Sequence, residues 1–179
     1  MYIGNVWSMG QEVMLVDVID LIEISERMAD CRILATAGFP IISQQHRLPD
    51  DLRVFYENCG GLVLFEHTSF PTLFVPPKDL VLANPIIVGE LAEDDISASW
   101  YIIASDGTDS QKITIDLDLE RLGRCYDSFW DRHAIAGSST IIARSFTEFF
   151  ERSLNSGGDE FYWNRPNFAS LGDAYDGMD

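Results

Sequence analysis

The run Leu48–Phe65, LPDDLRVFYENCGGLVLF, constrains the fold of this chain more than any other stretch. It reads as a helix that starts and stops sharply and turns at once into a strand. Pro49 suits the first helical position, where the missing N–H would have no partner and φ is already set. Asp50 and Asp51 follow in the first turn, where negative charge complements unpaired N–H groups. Leu52, Phe55, Tyr56 and Cys59 fall at i, i+3, i+4 and i+7, one apolar stripe. Gly60 and Gly61 stop the helix, since glycine takes the left-handed conformation a helix C-terminus needs. LVLF then reads as a short buried strand. The pattern predicts this helix packed on the sheet that the strand enters.

The remaining segments supply partners for that sheet. Ser8-Met9-Gly10-Gln11 fits a capping box, which predicts a helix from about Met9 to about Ala29. Val18, Ile19, Leu21 and Ile22 give it an apolar face broad enough to expect cover on more than one side. Thr72–Val75 reads as a second strand and Lys78–Leu80 as a helical turn. Val81–Val88 contains Asn84-Pro85, so it reads as an edge strand or a loop. Glu90–Ser97, ELAEDDIS, reads as an acidic surface loop. WYIIAS and QKITIDLD flank Asp106-Gly107-Thr108-Asp109, a strong hairpin cue over Trp100–Asp118. Arg121–Ala134 reads either as a short helix or as a strand closing the sheet, and Ile141–Ala143 as an apolar lead-in. Ser145-Phe146-Thr147-Glu148 is a second capping box, opening a helix with Phe146, Phe149, Phe150 and Leu154 inward. The chain is expected to be a single α+β domain over residues 1–179, an antiparallel-rich sheet flanked by helices, with its core over about 8–155. The first part of the acidic tail from Asp159 is expected to pack and its end to be mobile.

Three motifs, in order from Leu48 to Leu154, resemble the SUKH superfamily. The first is the Leu-Pro opening with an inner aromatic, Asn58 and a glycine pair before a strand; Cys59 between Asn58 and Gly60 departs from the adjacent Asn-Gly of many members. The second is the hairpin that begins with Trp100, turns through an acidic Gly-bearing loop and ends in Asp. The third is SFTEFFERSL. The superfamily includes fungal cell-wall-assembly regulators of the Smi/Knr type and many bacterial immunity proteins. The resemblance implies protein binding, foremost an immunity protein that neutralises a cognate toxin. Such toxins are often nucleases with basic substrate surfaces, which an acidic protein can occupy as a phosphate mimic. A cytosolic regulatory adaptor is the alternative that the fungal relatives imply.

Charge agrees with a protein partner. The 29 acidic and 12 basic side chains leave −17, so phosphate-backbone binding is disfavoured and a basic protein is the natural partner. Eleven acids against three bases lie between Glu90 and Asp131. The candidate partner-binding residues are Glu93, Asp94, Asp95, Asp106, Asp109, Asp116 and Asp118. Asp116 and Asp118 alternate with Ile115 and Leu117, which places both on one strand face. A solvated sheet face is the preferred reading of that pair. A hydrolytic enzyme using it is the third functional reading. Asp106–Asp109 reads as a hairpin turn in preference to a calcium loop.

No cofactor, metal or catalytic residue is expected. Cys31, Cys59 and Cys125 are odd in number and far apart, against both a disulfide framework and a thiolate zinc site. His46, His67 and His133 form no HExxH or His/Cys cluster. His67 beside Glu66 reads as an exposed loop histidine. The N-terminus lacks a basic region followed by an apolar run, and acids interrupt Val13–Ile24, so neither a secretory signal nor a membrane span is expected and the location is read as cytoplasmic.

Overall fold

In the computed structural model, which describes residues 16–178, the first helix starts at Asp17. The Asp17 carboxylate accepts from Asp20 N at 2.9 Å, and the Asp20 carboxylate accepts from Asp17 N at 3.4 Å. This reciprocal cap fixes α1 as Val18–Glu26, shorter than the predicted helix; the Ser8–Gln11 box lies outside the described residues. Nor is α1 covered on more than one side. Val18, Leu21, Ile22 and Ser25 are buried, while Ile19 and Ile24 face solvent.

After β1 (Arg32–Ile33), the organising stretch forms α2 (Asp50–Asn58) and β2 (Leu62–Leu64). Pro49 takes the cap position, one residue before the expected place. The glycine pair acts differently from a left-handed helix stop. Cys59 is already extended, and a Cβ on Gly60 would fall 1.9 Å from the Ala35 carbonyl oxygen. Gly60 N donates to Leu34 O and Leu34 N to Gly61 O, each at 2.9 Å, so the bare backbone continues the β1–β2 ladder.

β3 (Thr72–Phe74) precedes a 3-10 turn at Pro77–Asp79. The Val81–Val88 segment pairs at its start, where Leu82 bridges Tyr101 of the sheet, and then turns into a short helix, α3 (Ala83–Ile87). Pro85 fits there because it lies in the first turn, where its missing N–H breaks no helical bond. A second 3-10 turn, Ile96–Ser99, leads into β4 (Trp100–Ser105), and the predicted hairpin returns as β5 (Gln111–Asp116). Of the two readings of Arg121–Ala134, sheet closure holds, with β6 (Cys125–Phe129). β7 (Ile141–Ala143) and α4 (Phe146–Asn155) complete the order. Only half of the second capping box forms. Ser145 Oγ accepts from Glu148 N, but the Glu148 carboxylate takes Arg144 N at 2.6 Å. Asp51 of α2 completes the cap from outside, accepting Thr147 N at 2.9 Å and its hydroxyl at 3.0 Å.

The seven strands form one antiparallel sheet in sequence order β1 to β7. The chain is therefore a single α+β domain with an antiparallel sheet flanked by helices. On one face α1, α2 and α4 pack together and bury Leu21, Leu52, Phe55, Phe146, Phe149 and Phe150 against Ile113, Ile115 and Leu117. Phe55 lies 5.0 Å from Phe146 and 5.8 Å from Phe74 by ring centroid, mostly in edge or tilted pairs. The other face carries a smaller cluster of Trp100, Ile102, Tyr126 and Ile141 with Ala83 and Ala174. Among the described residues no helix is long and apolar enough to cross a membrane.

Candidate functional site

Strand alternation sends Thr114 and Asp116 of β5 away from the helical layer, and on that second face the polar chemistry concentrates. Asp116 is fully buried opposite Trp100. Its Oδ1 accepts the Ser99 hydroxyl at 2.7 Å and Asp118 N at 3.0 Å. Its Oδ2 accepts Trp100 Nε1 at 3.1 Å, Arg121 Nε at 2.9 Å and the Tyr126 hydroxyl at 3.1 Å. Five donors use the whole acceptor capacity of a carboxylate, and the nearly buried Arg121 supplies its counter-charge. Burial, then the charge of Asp116, pushes the Tyr126 hydroxyl pKa well up. Trp100 and Tyr126 stack at 4.1 Å and 23° over this knot.

The expected common solvated face of Asp116 and Asp118 therefore does not exist. β5 ends at Asp116, and Asp118 belongs to the following turn, half-exposed, where it accepts Glu120 N at 2.9 Å and pairs with Arg121 at 3.5 Å. The alternation is right but the cover is missed: α3, the 3-10 turn before β4 and the tail close over the sheet here. A reaction centre on this pair lacks both access and a free lone pair at Asp116, and Asp116 is equally closed to a partner.

A second polar chain runs beside the first, built from residues that no local pattern connects. His133 is buried between Asn84 and Ser128. Its Nε2 lies 2.7 Å from Asn84 Oδ1 and its Nδ1 3.0 Å from Ser128 Oγ. Asn84 Nδ2 donates to Leu91 O at 3.0 Å and to Ser97 Oγ at 2.9 Å, which leaves its oxygen to accept. The consistent assignment is a neutral imidazole with the proton on Nε2 and Ser128 donating to Nδ1. Burial lowers the His133 pKa to about 4, with Asp95 pulling weakly the other way. Ser97 donates to Asp95 Oδ1 through both its N–H and its hydroxyl, and Tyr175 donates at 2.8 Å. For Asp95, partial burial acts to raise the pKa, but these donors outweigh it and hold the carboxyl below its ordinary value. The one signal in the sequence was Asn84-Pro85 interrupting an apolar run.

The accessible candidate acids lie in three separate places. Glu93 and Asp94 are exposed near the start of β4 and line a cleft of about 490 Å³ with Ser43, Gln45 and His46. Asp95 is next to them, committed to the network. Asp106 and Asp109 sit at the hairpin's other end, where Asp106 Oδ1 accepts Thr108 N at 2.7 Å and its hydroxyl at 2.6 Å. At about 3.3 Å per residue, β4 sets the two groups roughly 15–20 Å apart. Asp118 faces a third environment, beside a cleft of about 430 Å³ lined by Arg121, Arg124 and Arg144 among others. Charge counted along the chain is thus not one patch in space.

Other reactive candidates are accounted for locally. Arg32 holds Glu66 at 2.7 and 3.1 Å, and the neighbouring His67 is exposed. Burial pushes the Cys59 thiol up to about 11, so it stays protonated on the apolar stripe. Among the described residues no three His, Cys, Asp or Glu side chains come together as a metal site.

An antiparallel meander under a three-helix layer, with buried polar networks on its second face, makes this chain a compact α+β domain. The chain belongs to the SMI1 / KNR4 family (SUKH-1), whose sequence pattern matches residues 43–152, from before α2 through most of α4. It is 50% identical over 151 residues to the immunity protein YokJ of Bacillus subtilis (strain 168), across 84% of this chain and 91% of that protein. No solved structure matches the chain significantly.

Proposed function

We propose that this chain is a non-enzymatic immunity protein that binds and neutralises one cognate toxin. The similarity to an immunity protein over nearly the full length of both chains carries this reading. The partner surface is basic, as on a nuclease that binds phosphate. The accessible carboxylates Glu93 and Asp94 support that choice, because neither forms an ion pair among the described residues and both keep their charge available. Asp106 and Asp109 form a separate acidic tip and serve as the comparison site.

The test is co-expression with the C-terminal domain of the product of the neighbouring gene, followed by binding kinetics. Growth should be restored by the wild-type chain. Glu93→Lys with Asp94→Lys should slow association by about tenfold at low salt and flatten its salt dependence, because encounter of opposite charges is screened by ions. Failure to bind or to restore growth would overturn the reading. If only Asp106→Lys with Asp109→Lys slows association, the interface lies at the hairpin tip instead.

A further inference from the structure

Between Val81 and Leu91 the chain holds four aliphatic side chains in water. Val81, Ile86, Val88 and Leu91 are 38, 60, 48 and 48% exposed. A single exposed aliphatic is unremarkable, but four within eleven residues around α3 are not. Val81 and Ile86 line a groove of about 390 Å³ with Val75 and Ile102, and Asp79 and Lys112 also border it. Leu91 lines the separate cleft that holds Glu93 and Asp94. From Asp79 to Asp95 the sequence carries five acids and no Lys or Arg.

The loop is braced from beneath. Buried Asn84 begins it, accepts Val88 N and Gly89 N on its backbone oxygen at 2.8 and 3.0 Å, and uses its amide on Leu91 O and Ser97 Oγ. His133 fixes the same side chain from the β6–β7 connection. Asn84 thereby anchors the Val88–Leu91 end to the turn at Ser97 and to His133, while Ile102 N donates to Val81 O at 2.9 Å and holds the other end on β4. An apolar centre with a charged rim, set in one conformation before binding, is the arrangement that favours a stable complex.

We propose that this face, with Val81, Ile86, Val88 and Leu91 at its centre and Glu90, Glu93 and Asp94 on its rim, is where a basic partner protein docks. The inference rests on the immunity reading and names its contact surface. A second copy of this chain is the wrong occupant, since a symmetric contact would bring the acidic rims of two strongly negative chains together.

Apolar centre and acidic rim separate kinetically, which gives the test. The probe is the C-terminal domain of the product of the neighbouring gene, with association and dissociation followed at low and physiological salt. Ile86→Ser with Leu91→Ser should speed dissociation about tenfold or more while leaving the salt dependence of association intact. Glu90→Gln, Glu93→Gln and Asp94→Asn together should slow association and flatten that dependence, with dissociation little changed. Ile24→Ser, on α1 in the opposite layer, should bind as wild type, and unchanged melting temperatures should show that all variants fold. Wild-type dissociation from the Ile86→Ser/Leu91→Ser variant would overturn the docking face while leaving the immunity reading standing. Absence of binding by the wild-type chain overturns both. Concentration-dependent self-association of the free chain, abolished by Ile86→Ser, would assign the face to a homodimer and overturn the proposal.

Discussion

The two faces of the sheet are stabilised by different physics. Beneath α1, α2 and α4, Phe55, Phe74, Phe146, Phe149 and Phe150 fill space with hydrocarbon, and several arrangements of similar volume would serve. Across the sheet, Asp116, Ser99, Thr114, Ser128, His133 and Asn84 are buried with Trp100 and Tyr126, and each named polar group has a specific partner. Apolar burial is proportional to area and has no direction. Buried polar groups are directional, and each one left unpaired costs about 1–3 kcal/mol. The first face therefore specifies compactness, and the second specifies how α3, the acidic loop and the tail sit on the sheet.

The largest expected effects compare the faces directly. Asp116→Ala should cost about 3–5 kcal/mol, because it strands Arg121, Trp100 Nε1 and the Tyr126 hydroxyl without an acceptor. Phe55→Ala should cost a similar 3–5 kcal/mol through the cavity it leaves. Conservative replacements should then diverge. Phe55→Leu should lose only about 1–2 kcal/mol as its neighbours relax, whereas Asp116→Asn should lose more, since its NH₂ group would face donors. Urea unfolding of the four variants provides the measurement. Asp116→Asn milder than Phe55→Leu would break the contrast.

The same contrast explains what was legible in the sequence. Leu52, Phe55 and Tyr56 show their spacing openly, and Ser145 and the Asp-Gly turn mark boundaries, so the helical face and the hairpin could be read directly. Alternation correctly placed Asp116 off the helical face, but periodicity reports which side a residue points to and not what lies on that side. Cover over Asp116 comes from α3 and the tail, distant in sequence. The Asn84–His133 bond joins residues 49 apart and has no local signature. The charge surplus between Glu90 and Asp131 was visible, but its division between two ends of a hairpin and one buried knot depends on register and cover. Asp17 shows the same competition at short range: its own capping box with Asp20 sets the start of α1.

A smaller effect, specific to the polar face, is its response to acid. His133 titrates near 6.5 when unfolded and near 4 in the fold, so between those values the unfolded chain binds more protons. Its contribution is fully present above about pH 6.5 and is lost as pH falls toward 4, by about 3 kcal/mol in total. The lowered carboxyl of Asp95 adds a loss of the same sign at lower pH. His133→Gln keeps an amide donor for Asn84 and removes the titration, so its stability should vary less between pH 6.5 and 4. An unaltered pH slope in that variant would mean that the acid response arises elsewhere.

The smallest effect concerns the tail, whose end was expected to be mobile. Residues 172–174 lie along β7: Ile141 N donates to Gly172 O at 3.0 Å and Ala174 N to Ser139 O at 2.9 Å, and Ala174 is buried. Tyr175 then reaches back to Asp95, 80 residues earlier, with its ring 6.4 Å from Trp100. Tyr175→Phe keeps the ring and removes one donor to a carboxylate that retains both Ser97 bonds, so the loss should be about 1 kcal/mol. Global unfolding will register that only weakly. Amide exchange should localise it, with faster exchange at Ile141 and Ala174 and unchanged protection at Phe55 in α2. Combined with Asp95→Asn, the double-variant cycle should show a coupling of a few tenths to about 1 kcal/mol. Additive losses would mean that backbone pairing along β7, and not the Tyr175–Asp95 bond, holds the tail over the polar face.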